Sequence, residues 1–119
     1  MAETVQLKFK SREVLDAYNS FLDTIRAQLP NIDEDLVMRL LIHNYKYKEE
    51  RPKMRLEIIY AEDVNGRQKK YEVAAKTGRF GEVRENHILI IDGHFALQDI
   101  EELAKDKQIQ LIKGEIASY

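Results

Sequence analysis

Two dipeptides constrain this chain more than any other feature: Asn65-Gly66 and Asp92-Gly93. Both favour the left-handed backbone angles of a two-residue hairpin turn, so each predicts a pair of antiparallel strands. Around Asn65-Gly66, residues 54–60 would pair with residues 70–75. Tyr60 then faces Tyr71, Ile58 faces Val73 and Leu56 faces Ala75, with Glu62 opposite Lys69 as a closing charge pair. Around Asp92-Gly93, Ile91 faces His94, Ile90 faces Phe95 and Leu89 faces Ala96, which keeps apolar against apolar in the interior.

That reading gives Asp92 a structural role. A catalytic Asp–His pair needs a carboxylate that orients an imidazole and an imidazole that reaches a nucleophile. The chain has no cysteine, and none of its serines stands in a nucleophile-elbow context. His43, His87 and His94 fit neither His-x-x-x-His nor Glu-x-x-His spacing. Gly78-Arg79-Phe80-Gly81 lacks the third glycine and the lysine–hydroxyl pair of a phosphate loop. The expectation is a protein that is not an enzyme, with no metal, no cofactor and no catalytic residues.

Elsewhere the periodicity changes along the chain. Val5, Leu7 and Phe9 alternate with Gln6, Lys8 and Lys10, which predicts a half-buried strand over residues 4–10. Ser11 can cap a helix whose apolar face carries Val14, Leu15, Tyr18, Phe21, Leu22, Ile25 and Leu29, and Pro30 ends it. Asn31 with Glu34 makes a capping-box pattern for a second helix, apolar on more than one side. Residues 45–52 form the joint between a helical part, 1–50, and a β-rich part, 53–117. Thr77 to Gly81 is a connection. Residues 98–104 read as a short helix with Ile100 and Leu103 inward, and residues 108–113 as a last strand at an edge.

With 119 residues the chain suits one compact domain, residues 1–119. The expected class is α+β: an N-terminal strand and two helices, then a small bent sheet or barrel of SH3-like or Sm-like type, with a short helix and a last strand. No apolar run approaches the roughly 18 residues of a membrane span, and the start lacks a signal core. Soluble and cytoplasmic is the expectation, with no membrane partner.

The net charge of −2 hides an uneven spread. Residues 46–84 carry eleven Lys/Arg against seven Asp/Glu, while residues 1–45 and 85–119 are acidic. Tyr45, Tyr47, Tyr60 and Tyr71 interleave with Lys46, Lys48, Arg51, Lys53, Arg55, Lys69 and Lys70, a mixture able to stack bases and hold phosphates. The acidic total works against that attraction. Gln6, Lys8, Lys10, Tyr45, Tyr47, Lys48, Arg51, Lys53, Lys69, Lys70 and Arg79 are the candidate contacts to a partner or to nucleic acid.

Ile58-Ile59-Tyr60, Asn65-Gly66, residues 88–93 and Leu97-Gln98-Asp99-Ile100 together resemble the β-rich part of the YolD-like family, with residues 31–47 similar to its acidic helix. The resemblance implies a small barrel without catalytic residues, acting as an accessory to Y-family DNA polymerases in bacterial DNA-damage responses. A DNA polymerase or another protein of DNA metabolism is then the expected partner. The first 50 residues also resemble a ribbon-helix-helix protein, a dimeric DNA-binding regulator. That alternative implies a homodimer whose Thr4, Gln6 and Lys8 read base edges from paired strands. The acidic start of its second helix, Asp33-Glu34-Asp35, would repel the phosphate such a helix end holds.

Overall fold

The computed structural model describes residues 2–47 and 51–117, with side chains described from residue 12 onward. The chain divides into two units, Met1–Pro30 and Asn31–Tyr119. The first unit is one helix, α1 (Ala2–Gln28). Residues 4–10 are therefore helical, which corrects the strand expected there. Once the apolar repeat from Val14 to Ile25 sustains a helix, each added residue gains a hydrogen bond without a new nucleus. A three-residue alternation with no paired strand cannot compete. The Leu29 amide still bonds the Ile25 carbonyl at 2.7 Å, and Pro30, lacking an N–H, stops the helix as expected.

The second unit runs α2 (Glu34–Tyr47), β1 (Lys53–Tyr60), α3 (Gly66–Thr77), β2 (Glu82–Arg84), β3 (Ile88–His94), α4 (Leu97–Ala104) and β4 (Ile109–Ile116). The four strands form one antiparallel sheet in the order β2-β3-β1-β4. From β1 onward this is the β-α-β-β-α-β connectivity of the split-βαβ, ferredoxin-like arrangement. The α+β class thus holds, with the sheet open and a shift in the β1–β4 register between Ile59 and Tyr60. It does not close into a barrel.

Asn65-Gly66 is not a hairpin turn. Asn65 keeps an extended φ of −79°, and its Oδ1 accepts from the Arg67 amide at 3.0 Å and the Gln68 amide at 3.4 Å. It is the N-cap of α3. Asparagine suits a cap as well as a turn, and the residues after it decide between the two. Residues 67–76 are rich in Arg, Gln, Lys, Glu and Ala, strong helix formers with poor strand preference. The pairings expected across that turn, Tyr60 with Tyr71 and Glu62 with Lys69, accordingly do not form.

Asp92-Gly93 is also not a turn. Both residues lie inside β3, where Asp92 stands opposite Arg55 and Gly93 opposite Met54. A Cβ on Gly93 would come within 3.0 Å of the Phe95 ring, so the glycine marks a close approach of that ring to the strand. Asn31 departs from its expected capping role as well. Its Nδ2 donates to the Ala104 carbonyl at 2.8 Å, while α2 starts at Glu34.

The short helix and the edge strand are where they were expected. Ile100 and Leu103 of α4 are buried. Outside β4, Ile32 makes a parallel bridge with Ile112, sealed by bonds from Asp33 N to Ile112 O and from Ile112 N to Asn31 O. The opposite edge, β2, is only three residues long. Both edges are therefore blunted against further strand pairing.

The alternation in β1 sorts the sheet into two faces. Met54, Leu56, Ile58 and Tyr60 are buried with Leu89, Ile91 and Ile112 beneath the helices, whose Leu36, Val37, Leu40, Val73, Ile100 and Leu103 complete the core. Gly114 lets α2 approach, since a Cβ there would meet Leu56 Cδ2 at 2.9 Å and Leu36 Cδ1 at 3.1 Å. The other face carries Arg55, Glu57, Ile59, Ile90, Asp92, Lys113 and Glu115, exposed or half-buried.

Candidate functional site

The uncovered sheet face takes its chemistry from register. Arg55 stands between Asp92 and Glu115, and Glu57 between Ile90 and Lys113. Arg55 Nε donates to Asp92 Oδ1 at 2.9 Å, and its Nη2 reaches Oδ2 at 3.4 Å. That bidentate bond holds the Asp92 carboxyl below the usual range and raises the Arg55 guanidinium. A groove of about 490 Å³ crosses this face beside the first turns of α2. It takes in Ile90 of this face and, at the β4 edge, Gly114 and Leu36. Its walls carry Arg39, Arg55, Arg84 and Lys113 together with Asp33, Asp35, Glu57 and Glu115, four cations and four carboxylates.

The Asp–His pair does not assemble. Asp92 is held by Arg55, while His94 Nδ1 lies 3.0 Å from the Arg51 carbonyl, to which it can donate. His87 Nδ1 is likewise 2.7 Å from the Glu85 carbonyl. Among the described residues no group of three or more His, Asp or Glu side chains is placed to hold a metal ion. Among those residues, no helix is long and apolar enough to cross a membrane.

The residues singled out from sequence disperse over the molecule. Gln6, Lys8 and Lys10 lie in α1, outside the described side chains, and Lys48 lies outside the described residues. Tyr45 and Tyr47 are exposed on the last turn of α2, with the Tyr47 ring 4.8 Å from that of His43. Arg51 bonds Asp99 at 3.0 Å and lines a cleft of about 420 Å³ with Lys76, Thr77 and His94. Lys53 is exposed at the start of β1. Lys69 turns inward: its Nζ bonds Asp106 at 2.8 Å and Glu72 at 2.9 Å, 5.8 Å from the Tyr60 ring centroid. Burial pushes the Tyr60 phenol up, reinforced by the Asp106 and Glu72 charges. Tyr60 is therefore core, and Lys69 is a structural ion-pair partner.

Lys70 and Arg79 precede two aromatic residues in the chain, Tyr71 and Phe80. Tyr71 and Phe80 are exposed and meet edge to face, centroids 6.1 Å apart. Sequence reasoning missed Phe80, Arg67 and the whole groove. The outward charges at Arg55 and Glu57, and at Lys113 and Glu115, did carry a period-two signal that a polar sheet face would explain.

No family model matches the chain, and no curated protein or solved structure is significantly similar to it.

Proposed function

We propose that this chain is a non-catalytic docking module, that the uncovered sheet face is its surface, and that its partner is a protein of DNA metabolism. The groove with four cations and four carboxylates carries this reading. Equal numbers of each sign give no net attraction for a polyanion, but they suit a protein segment with complementary charges of both signs. The outward positions of β1 and β3 carry Lys53, Arg55, Glu57, Ile59, Ile88, Ile90, Asp92 and His94, with no Phe, Tyr or Trp among them, which argues against an RNA-stacking sheet. The likeness to YolD-like proteins makes a Y-family polymerase the first partner to test.

A photo-crosslinking residue in place of Ile90 is the direct experiment, with the same residue at Gln110 as control. The expected result is a discrete protein adduct at position 90 that disappears when Arg39→Glu and Lys113→Glu are added. An identical adduct pattern at both positions, or turnover of a substrate by the purified chain, overturns the reading.

A further inference from the structure

The strongest unassigned feature lies on the outer face of α3 and the turn after it, where Arg79 and Phe80 border Arg55, Ile90, Asp92 and Glu82 of the sheet. Arg67, Lys70 and Tyr71 are spaced i, i+3 and i+4, so they share one stripe of the helix. Gly78 caps α3 with φ of 74°, a left-handed angle that turns the chain back on itself. Thr77 Oγ1 then accepts from the Arg79 amide at 3.2 Å, fixing the turn that places Phe80 against Tyr71. The two rings are 66% and 68% exposed, which is unusual for side chains of this size in mutual contact. Their edge-to-face arrangement leaves each ring with an open face.

The charges around the rings are one-sided. From Gly66 to Gly81 there are five Lys/Arg and one Glu. That Glu72 is bonded to Lys69, and the neighbouring Glu82 to Arg84. Among the described residues, the Arg67, Lys70 and Arg79 side chains form no ion pair. Here, unlike in the groove, cations are in surplus beside free π faces.

We infer that Tyr71 and Phe80, flanked by Arg67, Lys70 and Arg79, form a binding site for single-stranded nucleic acid. Unpaired bases stack on the rings while the three cations neutralise phosphates. A duplex keeps its bases stacked inside and offers the rings nothing, and an acidic peptide would use the cations but not the ring faces. The site shares no residue with the docking groove but borders it at Arg55 and Ile90, so the two readings are told apart by their variants: the ring variants should lose oligo-dT and keep the Ile90 crosslink.

The test is fluorescence anisotropy with a labelled oligo-dT and the full chain at low salt. Binding is expected, with a log–log salt slope of about −2 for three neutralised phosphates on a single strand. Tyr71→Ala and Phe80→Ala should each weaken it about five- to a hundred-fold, with an unchanged circular dichroism spectrum and melting temperature, because both rings are exposed. Tyr71→Phe should bind as the parent does. The inference is overturned by no binding at low salt, by full affinity in both alanine variants, by equal affinity for a duplex, or by equally effective competition from polyglutamate.

Discussion

Lys69 Nζ lies 2.8 Å from Asp106 Oδ2, joining the middle of α3 to the turn that enters β4. The Lys69 side chain is only 12% exposed and that of Asp106 21%. Burial works against both charges, yet the bonds win. Asp106, which also accepts from the Gln108 amide, is held below the usual carboxylate range, and the Lys69 ammonium is raised. A lowered carboxyl contributes stability above its unfolded value and loses it as pH falls through the folded one. A raised amine contributes below its unfolded value and loses it as pH rises through the folded one. The pair therefore stabilises between about pH 4 and pH 10. Lys69→Ala should cost about 1–3 kcal/mol at pH 7 in urea titrations, a difference that narrows below about pH 4. A difference that stays constant into acid would assign the loss to packing alone.

Asn65 offers a test of cap against turn. Asn65→Ala removes the acceptor for the Arg67 and Gln68 amides and should cost about 0.5–2 kcal/mol. Asn65→Ser should recover most of that, because serine caps nearly as well. Serine does not favour the left-handed angles of a two-residue hairpin, so a serine variant as unstable as alanine would contradict the cap.

Gly66 sets two effects of opposite sign against each other. It stands at the first position of α3, where Gly→Ala should help by up to about 1 kcal/mol through helix propensity. Its amide, however, bonds the Asn86 carbonyl at 2.7 Å, and a Cβ would sit 2.5 Å from that same oxygen and 2.9 Å from Val83 Cγ1. Backbone cannot move aside as a side-chain tip can. Gly66→Ala is expected to destabilise by about 1–3 kcal/mol in chemical denaturation, the cost of overpacking. A gain in stability would show that the chain around Asn86, between β2 and β3, yields.

What the sequence disclosed depended on the range of the interaction involved. The Pro30 stop, the α4 helix around Ile100 and Leu103, and the edge strand were legible because each depends on signals a few residues long. The buried alternation of Leu56, Ile58 and Tyr60 was legible for the same reason. Asn65-Gly66 and Asp92-Gly93 misled because one dipeptide serves several backbone roles and distant partners choose among them. The Asn86 carbonyl and the run of helix formers made one a helix start; pairing with Met54 and Arg55 kept the other within a strand. With the hairpin gone, Tyr71 left its expected place opposite Tyr60 and came to Phe80, a contact nine residues apart that only the Gly78 turn creates. The groove was hidden for a related reason: its walls come from α2, β1, β2 and β4, which only the sheet order brings side by side.

Arg55 and Asp92 separate binding from stability on the proposed docking face. Their side chains are 62% and 60% exposed, so solvent screens the bond however good its geometry. Arg55→Ala and Asp92→Ala are each expected to leave the urea midpoint close to that of the parent, and the double variant to show no more than the sum of the two small shifts. Partner capture through the Ile90 crosslink should nevertheless fall in both, because each removal unbalances the charges of the face. A large loss of stability in either variant would mean that the pair holds β1 to β3, and the surface would then be probed by Lys113→Glu alone, which leaves the Arg55–Asp92 bond in place.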